Sequence, residues 1–518
     1  MRLLYLGSTD LPQTKARAIQ IVHTCHALAR GGAEVTLAVG KRGRGDATHA
    51  LAQYGLAPHP RLRLLRLPIV RIPPTAPPRV LAQFSRVWQL SYLAGLAASL
   101  PLQLARHRPD VVFARDLRIA RLAAGPAHAI GARLIFEVHG LPSYETEHGA
   151  VRANRPRSEV ARLRQLEADV FERADLIVTI TEAARQILLD EYGVAPERVR
   201  TVADGTTVSP APQHTAQHLS EIGADTAPGE EGAMLAVGAM NRARTARNLV
   251  RAQFIAPPAA DAPPAADAPP AADAPPAADA PPADDAPPAT LAAAADDAPP
   301  ATLSPPATVA SVRREARPAI YYVGQLYPWK GAGLVVEVAA RVPEAEVVVV
   351  GGQTNWTYDD PDIAALAQQA KALGVADRVR FRGHVPYDRV PAELAQASVA
   401  LLPLPDEPVA RLFTSPLKLF DYMAAGVPIV ASDLPALREV LQHERNALLA
   451  RPGDPDSFAE AVRRLLGEPE LARRIGQQAR EDVRQYRWDA RAAALLDFIG
   501  EPGEASRTLA QARGASIQ

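Results

Sequence analysis

Short aliphatic runs alternate along the chain with amphipathic stretches of helical period, starting with Leu3 to Gly7, Ala16 to Arg30 and Val35 to Val39. Unbroken aliphatic runs of about four to eight residues mark strands buried on both faces, and helices between them give the βαβ rhythm of an α/β fold. The first helix carries Ile19, Val22, His23, Cys25, His26 and Leu28 and stops at Gly31-Gly32, as a helix closed by a glycine does. Further strands are expected at Val111 to Ala114, Leu134 to Val138, Leu176 to Ile180 and Val199 to Val202, so that the first series ends near Asp204-Gly205. A second series runs through Ala319 to Gly324, Glu346 to Gly352, Arg378 to Arg382, Val399 to Pro403 and Ile429 to Ser432. In doubly wound sheets of this kind ligands sit beyond the carboxyl ends of the strands.

Between the two series the character changes. From Asp261 the hexad Asp-Ala-Pro-Pro-Ala-Ala repeats through Ala283 and then degrades. Proline removes backbone donors, alanine buries little area and the aspartates repel, so an extended, solvated insertion with polyproline II character is expected. Met234 to Gly238 reads as an isolated strand that the series does not absorb. The expected division is residues 1–209, an insertion at 210–317, residues 318–490, and a C-terminal helix and tail at 491–518.

The 518 residues leave room for two or three domains. The most apolar long stretch, Val87 to Ala105, contains Gln89, Ser91, Tyr92, Ser99, Pro101 and Gln103 and reads as a buried helix rather than a membrane span. Met1 to Gly7 reads as a strand running into a glycine turn rather than an export signal, and Cys25 is the sole cysteine, which excludes an internal disulfide and a cysteine metal cage. Both features lead to a cytoplasmic expectation. Net charge is zero, yet residues 1–200 hold 28 Lys+Arg against 17 Asp+Glu. Arg61-Leu-Arg-Leu-Leu-Arg-Leu-Pro-Ile-Val-Arg71 alternates cations with aliphatics. It reads either as one strand with snorkelling arginines or as a surface for peripheral contact with an anionic membrane.

Two segments carry candidate chemistry. Val323-Gly-Gln-Leu-Tyr-Pro-Trp-Lys-Gly331 is a strand ending in glycine, then a loop, then Lys-Gly at a helix start, where backbone N–H groups and Lys330 attract phosphate. Thr414-Ser-Pro-Leu-Lys-Leu-Phe-Asp-Tyr-Met-Ala-Ala-Gly426 reads as a helix with Pro416 at its first position. Thr414 and Ser415 would then point at a phosphate oxygen, and Asp421 would face a ribose diol. Asp454-Pro-Asp456 has a metal-like spacing but precedes Ser457 and a helix, and an N-cap turn explains it.

With both motifs in view, the chain resembles the retaining nucleotide-sugar glycosyltransferases of family 4, across nearly everything outside residues 210 to 316. The resemblance implies the GT-B fold, in which two Rossmann-like doubly wound domains face one another across a cleft. It implies transfer of a sugar from a nucleotide-sugar donor to a glycan, lipid or small-molecule acceptor with retention of configuration, with no cofactor and no metal. In that family the loop after the first strand of the second domain reads Gly-Arg-Leu, three residues, Lys-Gly, and its Arg and Lys bind the donor diphosphate. Here Gly324 and Lys330 match and Gln325 stands in the arginine position. Of the family's Glu-x7-Glu motif, Asp421 holds the second position, on the ribose, and Phe413 the first. Pro416, Leu417 and Lys418 follow a variant seen in similar members, and Gly383, His384 and Val385 fall where the nucleobase is held through backbone groups. Phe136-Glu-Val-His-Gly140 matches the strand-end pattern in which a histidine lies against the donor sugar, so the resemblance makes His139 catalytic beside Lys330 and Asp421. Arg115, Asp116 and His139 fall at acceptor positions, and the loop from Ser8 to Arg17 and Asp204-Gly205 at other cleft positions. No carboxylate nucleophile is evident near His139, which implies front-face attack. Tyr486-Arg-Trp-Asp489 and the following helix resemble the segment that packs back across the first domain. The departures at Gln325 and Phe413 keep one alternative open, a catalytically weak nucleotide-sugar or glycan binding protein. A nucleic-acid partner lacks any sequence signature.

Loop length alone costs little, so deleting residues 256–306 is expected to shift the thermal midpoint by less than about 2 °C. Loss of the cooperative transition on calorimetry would show that the insertion is needed for the fold.

Overall fold

The computed structural model describes residues 1–11, 16–41, 47–67, 78–148, 157–207, 317–352 and 360–501, which belong to one compact unit. The repeat and the isolated strand at Met234 to Gly238 lie outside the described residues, as do residues 12–15 of the first loop and the tail from 502.

The first sheet contains β1 (Arg2–Leu11), β2 (Glu34–Lys41), β3 (Leu62–Leu67), β4 (Val111–Ala114), β5 (Arg133–Val138), β6 (Leu176–Thr179) and β7 (Val199–Thr201), all parallel, in the order β3-β2-β1-β4-β5-β6-β7. Its helices are α1 (Ala16–Arg30), α2 (Ala47–Ala52), α3 (Pro78–His107), α4 (Leu117–Ala129), α5 (Pro142–His148), α6 (Arg157–Arg173) and α7 (Glu182–Asp190). The second sheet has β8 (Ala319–Val323), β9 (Glu346–Val350), β10 (Val379–Gly383), β11 (Val399–Leu402), β12 (Ile429–Ser432) and β13 (Leu448–Ala450), also parallel, in the order β10-β9-β8-β11-β12-β13. Helices α8 (Ala332–Arg341), α9 (Pro361–Ala372), α10 (Val390–Leu394), α11 (Pro408–Leu412), α12 (Leu417–Ala425), α13 (Pro435–Arg438), α14 (Pro455–Gly467), α15 (Pro469–Asp482) and α16 (Trp488–Gly500) accompany it.

The aliphatic runs became central strands because both faces of each sheet are covered: Leu3, Leu4, Tyr5 and Leu6 of β1 are all at most 1% exposed. Strand order reverses direction between β1 and β4 and again between β8 and β11. The crevices that open at such switch points collect the residues just past the strand ends. In the first sheet these are Arg115 and Asp116 after β4 and His139 after β5. In the second they are Gly324 and Gln325 after β8.

Two local outcomes differ from the sequence reading, and a third decides between its alternatives. Pro416 is the N-cap of α12, with extended backbone, and not its first helical residue. β3, one of the two readings of the Arg61 segment, forms the edge of the first sheet with Leu62 and Leu67 buried and Arg63 exposed. β13 was not anticipated, since three residues are too few to show a period.

The last described helix returns to the first domain. Trp488, Ala492, Leu495, Phe498 and Ile499 of α16 lie in the same buried cluster as Leu3 and Tyr5 of β1, and α16 packs along α1. Phe413 lies in the other cluster of the first sheet, its ring 5.4 Å from that of Tyr144.

Candidate functional site

Alternation along a strand puts Glu137 and His139 on one side of β5, and both run into a buried group of charges. Glu137 is 1% exposed and Arg491 of α16 is 3% exposed, with an Arg491 Nη2 to Glu137 Oε1 distance of 2.5 Å. The same oxygen faces His139 Nε2 at 2.5 Å, while Oε2 accepts from Tyr5 Oη at 3.3 Å. Burial alone would raise the Glu137 carboxyl, but the Arg491 guanidinium, the His139 contact and Arg115 outweigh it and hold the group far below the usual carboxylate range. His139 is lowered, first by burial and then by Arg115, against the opposing pull of Glu137 and Asp204. It is a neutral imidazole around pH 7.

Asp204, just past β7, is fully buried. Its Oδ2 accepts from Gln20 Nε2, Gln20 Oε1 in turn accepts from Arg115 Nη2 at 3.0 Å, and Oδ1 has no partner among the described residues. Burial raises its carboxyl. Asp116 caps α4, accepting from the N–H groups of Arg118 and Ile119. Arg17 Nη1 donates to Ser8 Oγ at 3.3 Å.

Two carboxylates do stand beside His139, where the sequence showed no carboxylate nucleophile: ligand atoms of Glu137, His139 and Asp204 lie within 4.8 Å of one another. Three such groups resemble a metal site by type. Glu137, however, already carries the guanidinium of Arg491, so the cluster holds its own cation. Asp454 caps α14 through Asp456 N and Ser457 N, and Asp456 pairs with Arg341, which accounts for the Asp-x-Asp spacing.

On the second sheet, Gly324 takes φ 147°, and a Cβ there would lie 3.0 Å from Lys418 Nζ. The missing side chain leaves the place that the ammonium fills. Lys418 Nζ sits 3.9 Å over the Tyr322 ring, buried, with no hydrogen-bond acceptor among the described residues. Its charge is disfavoured by burial and then by Lys330, and Lys330 is itself lowered by burial. Tyr322 Oη donates to the carbonyls of Gln325, at 2.7 Å, and Lys330, at 3.4 Å, tying the loop to the strand. The fold thus brings two ammonium groups together where β8 ends. Gly383, with φ 69°, closes β10 and accepts from Gly351 N, His384 is lowered by burial, and Val385 packs on the core of the second sheet.

The remaining candidates are engaged elsewhere. Thr414 Oγ1 donates to Val409 O at 3.4 Å, Ser415 Oγ accepts from Asp204 N at 3.1 Å, and Leu417 is buried in the first-sheet cluster. Asp421 is 4% exposed, and its Oδ1 accepts from Thr206 Oγ1 at 2.8 Å and Tyr387 Oη at 3.0 Å. These contacts accompany others between the sheets: Thr181 Oγ1 donates to Leu412 O, and the Glu439 carboxylate takes the first two N–H groups of α7.

Sequence reasoning missed Arg491, Tyr322, Tyr387 and Thr206. A signal existed for the first. Trp488, Arg491, Ala492, Leu495 and Phe498 follow helical spacing, so an arginine stood in the middle of an apolar stripe.

Comparison with known proteins gives the context. Residues 18–205 match the glycosyl transferase 4-like domain and residues 317–468 match glycosyl transferases group 1. A GDP-mannose-dependent alpha-(1-6)-phosphatidylinositol monomannoside mannosyltransferase of Mycobacterium tuberculosis is 32% identical over 188 residues, 35% of this chain and 47% of that protein. The chain spans about half the length of the curated relatives it matches. Sucrose-phosphate synthase from Thermosynechococcus elongatus has a TM-score of 0.61 at 16% identity over 99% of both chains. Anabaena HepE in complex with UDP has a TM-score of 0.55 at 15% identity, covering 96% of this chain and 99% of that one. Both have the same fold as this chain, GT-B.

Asp421 supplies a pH-dependent test. Burial raises its carboxyl to about 6, above the unfolded value of 3.8. The folded state therefore holds a proton that the unfolded state releases between these limits, and stability falls as pH rises through the window. Asp421→Asn keeps the acceptor and removes the charge. It should gain up to roughly 3 kcal/mol over wild type at pH 7.5 and little at pH 4, measured by urea unfolding. An equal effect at both values would mean that Asp421 does not titrate in this window.

Proposed function

We propose, from the premise that this chain belongs to the glycosyl transferases group 1 with a glycosyl transferase 4-like first domain, that it transfers a sugar from a nucleotide-sugar donor to a glycan, lipid or small-molecule acceptor with retention of configuration. The observation that carries the reading is the unpartnered Lys418 ammonium beside Lys330 at the end of β8. A buried lysine with no acceptor among the described residues, beside a half-buried one, is costly to hold charged, and a diphosphate would relieve that cost. Charge grows on that leaving group as the glycosidic bond breaks. Preorganised cations stabilise it most at that stage, which is where catalysis needs them. Lys418 thus replaces the arginine that Gln325 lacks, and the reaction so drawn uses no metal.

His139 faces the transferred sugar in this reading, with Arg115 near the acceptor and Asp116 fixing the start of α4. Asp204, fully buried and held by Gln20, is not exposed to serve as a nucleophile, which favours front-face attack. Gly383, His384 and Val385 hold the base, and the ribose reaches Asp421. The mannosyltransferase relative is named for GDP-mannose and HepE was captured with UDP, so guanine and uracil are the first bases to test.

The affinity of UDP-, GDP-, ADP-, TDP- and CDP-sugars is read by thermal shift and calorimetry. One nucleotide series should stabilise wild type, and Lys418→Met should weaken it at least about tenfold, a loss of about 1.4 kcal/mol. Gln325→Arg in the Lys418→Met background should recover part of the loss. Undiminished binding by Lys418→Met removes the lysine from the donor site. Binding without hydrolysis or transfer favours the binding-protein alternative.

Peripheral contact with an anionic membrane on the cytoplasmic side belongs to the same reading. No described helix is long and apolar enough to cross a membrane. Tyr92, Leu96, Leu100 and Leu104 bury one face of α3, while Leu90, Ala94, Ala97, Pro101, Leu102 and Ala105 form an exposed apolar face on the other. Leu90 and Leu102 are 65% and 66% exposed, and residues 47–109 hold eight arginines and no Asp or Glu. Such a combination suits an anionic lipid surface. Sedimentation with phosphatidylglycerol vesicles should capture wild type in a salt-sensitive way, and Leu90→Glu with Leu102→Glu should abolish it. Equal capture of the double variant, or dimerisation through this face on ultracentrifugation, rules the surface out.

A further inference from the structure

We infer that Arg491, reaching into the first domain from the C-terminal helix, is a positioning residue for His139: through Glu137 it fixes which ring nitrogen carries the proton and presents the other as an acceptor. The functional value of this rests on the reading that His139 faces the donor sugar, whereas the arrangement itself stands on contacts alone.

Glu137 Oε1 faces two nitrogens at 2.5 Å, Arg491 Nη2 and His139 Nε2. An ionised carboxylate only accepts hydrogen bonds, so Nε2 must bear hydrogen. Arg491 has no freedom to leave. Its Nη1 donates to the carbonyls of Val202 and Ala203, and its Nε to Thr24 Oγ1 at 3.4 Å. Those groups belong to the segment after β7 and to α1, so with Glu137 on β5 three parts of the first domain grip a side chain supplied from beyond the second. Tyr5 Oη of β1 completes the shell of Glu137.

The charged groups facing the ring from the surrounding elements are Glu137 on β5, Arg115 after β4 and Asp204 after β7, with Arg491 behind Glu137. Arg115 and burial disfavour the imidazolium, so the ring is neutral and its proton sits on Nε2. Nδ1 is then a lone pair. A neutral acceptor can take a hydrogen bond from a sugar hydroxyl, which an imidazolium cannot do. Without Arg491 the buried charge of Glu137 would be answered by His139 itself, and Nδ1 would become a second donor.

The two halves of this arrangement predict opposite signs. In the full-length protein labelled with 15N- and 13C-histidine, His139→Asn assigns the His139 resonances, and long-range 1H–15N correlations report tautomer and titration. Wild type should show protonated Nε2 and bare Nδ1 with a titration below that of free histidine. Arg491→Met should move the titration upward, and Glu137→Gln should move it downward and mix the tautomers. Arg491→Lys, which keeps charge near Glu137 but loses the fork, should fall between Arg491→Met and wild type. If Arg491→Met fails to unfold cooperatively, Arg491→Lys and Glu137→Gln carry the test. A titration and tautomer identical to wild type in the folded variants overturns the inference.

Donor turnover separates this from the functional reading. With a turned-over donor, Glu137→Gln should lower kcat with little change in donor KM, and the acid limb of the Arg491→Met pH profile should move upward. If the resonances respond as stated while no nucleotide sugar binds or reacts, the positioning role stands and the glycosyltransferase reading falls.

Discussion

The buried ion pair between Glu137 and Arg491 is the contact on which the arrangement of the first domain turns. Each ion taken from water costs several kcal/mol, and attraction repays this only where the remaining donors and acceptors are also satisfied. Here they are: Tyr5 and His139 complete the carboxylate, and the Val202 and Ala203 carbonyls with Thr24 complete the guanidinium. A helix that follows the second sheet therefore cannot slide along α1 without leaving a buried charge unanswered. Apolar burial of Trp488, Leu495 and Phe498 holds α16 to the first sheet, while the ion pair selects its register.

The same division between nonspecific burial and specific polar contact explains what the sequence disclosed. Strands such as Val111 to Ala114 and Ile429 to Ser432 were legible because a central parallel strand writes its burial as an unbroken aliphatic run. The helix from Ala16 to Arg30 was legible because glycine follows its last turn. β13 was not, being only three residues long. On the site, the Lys-Gly turn after β8 could be placed from its motif. Which partner each polar atom takes could not, because Asp421 meets Thr206 and Tyr387 from positions 215 and 34 residues away. Glu137 was visible as a neighbour of His139 two residues along a strand, yet its role depends on an arginine 354 residues distant. Local pattern reports which surfaces are buried, and long-range polar pairing leaves almost no local trace.

The second sheet shows a charged site assembled without an ion pair. Lys418 is held by an aromatic face rather than a carboxylate, and a ring quadrupole offsets only part of the desolvation of an ammonium. Gly324 is what allows this, since any side chain there would press on the amine. A carboxylate in that place would quench the charge permanently. The aromatic support keeps the ammonium in position while leaving its donors without an acceptor among the described residues.

Closure between the sheets draws on atoms that also stand at the expected donor site. Ser415 accepts from Asp204 N, and Asp421 accepts from Thr206 and Tyr387. A ribose hydroxyl arriving at Asp421 would find Oδ1 already accepting two hydrogen bonds, so part of what it gains is an exchange and not an addition. A typical hydrogen bond contributes only about 0.5 to 1.5 kcal/mol net, so such an exchange leaves little affinity at this end of the ligand. The lysine differs in kind: among the described residues it has no acceptor that an anion would have to displace. Binding energy should thus concentrate on the diphosphate, while Asp421 and Ser415 keep contacts that tie the second sheet to the first domain.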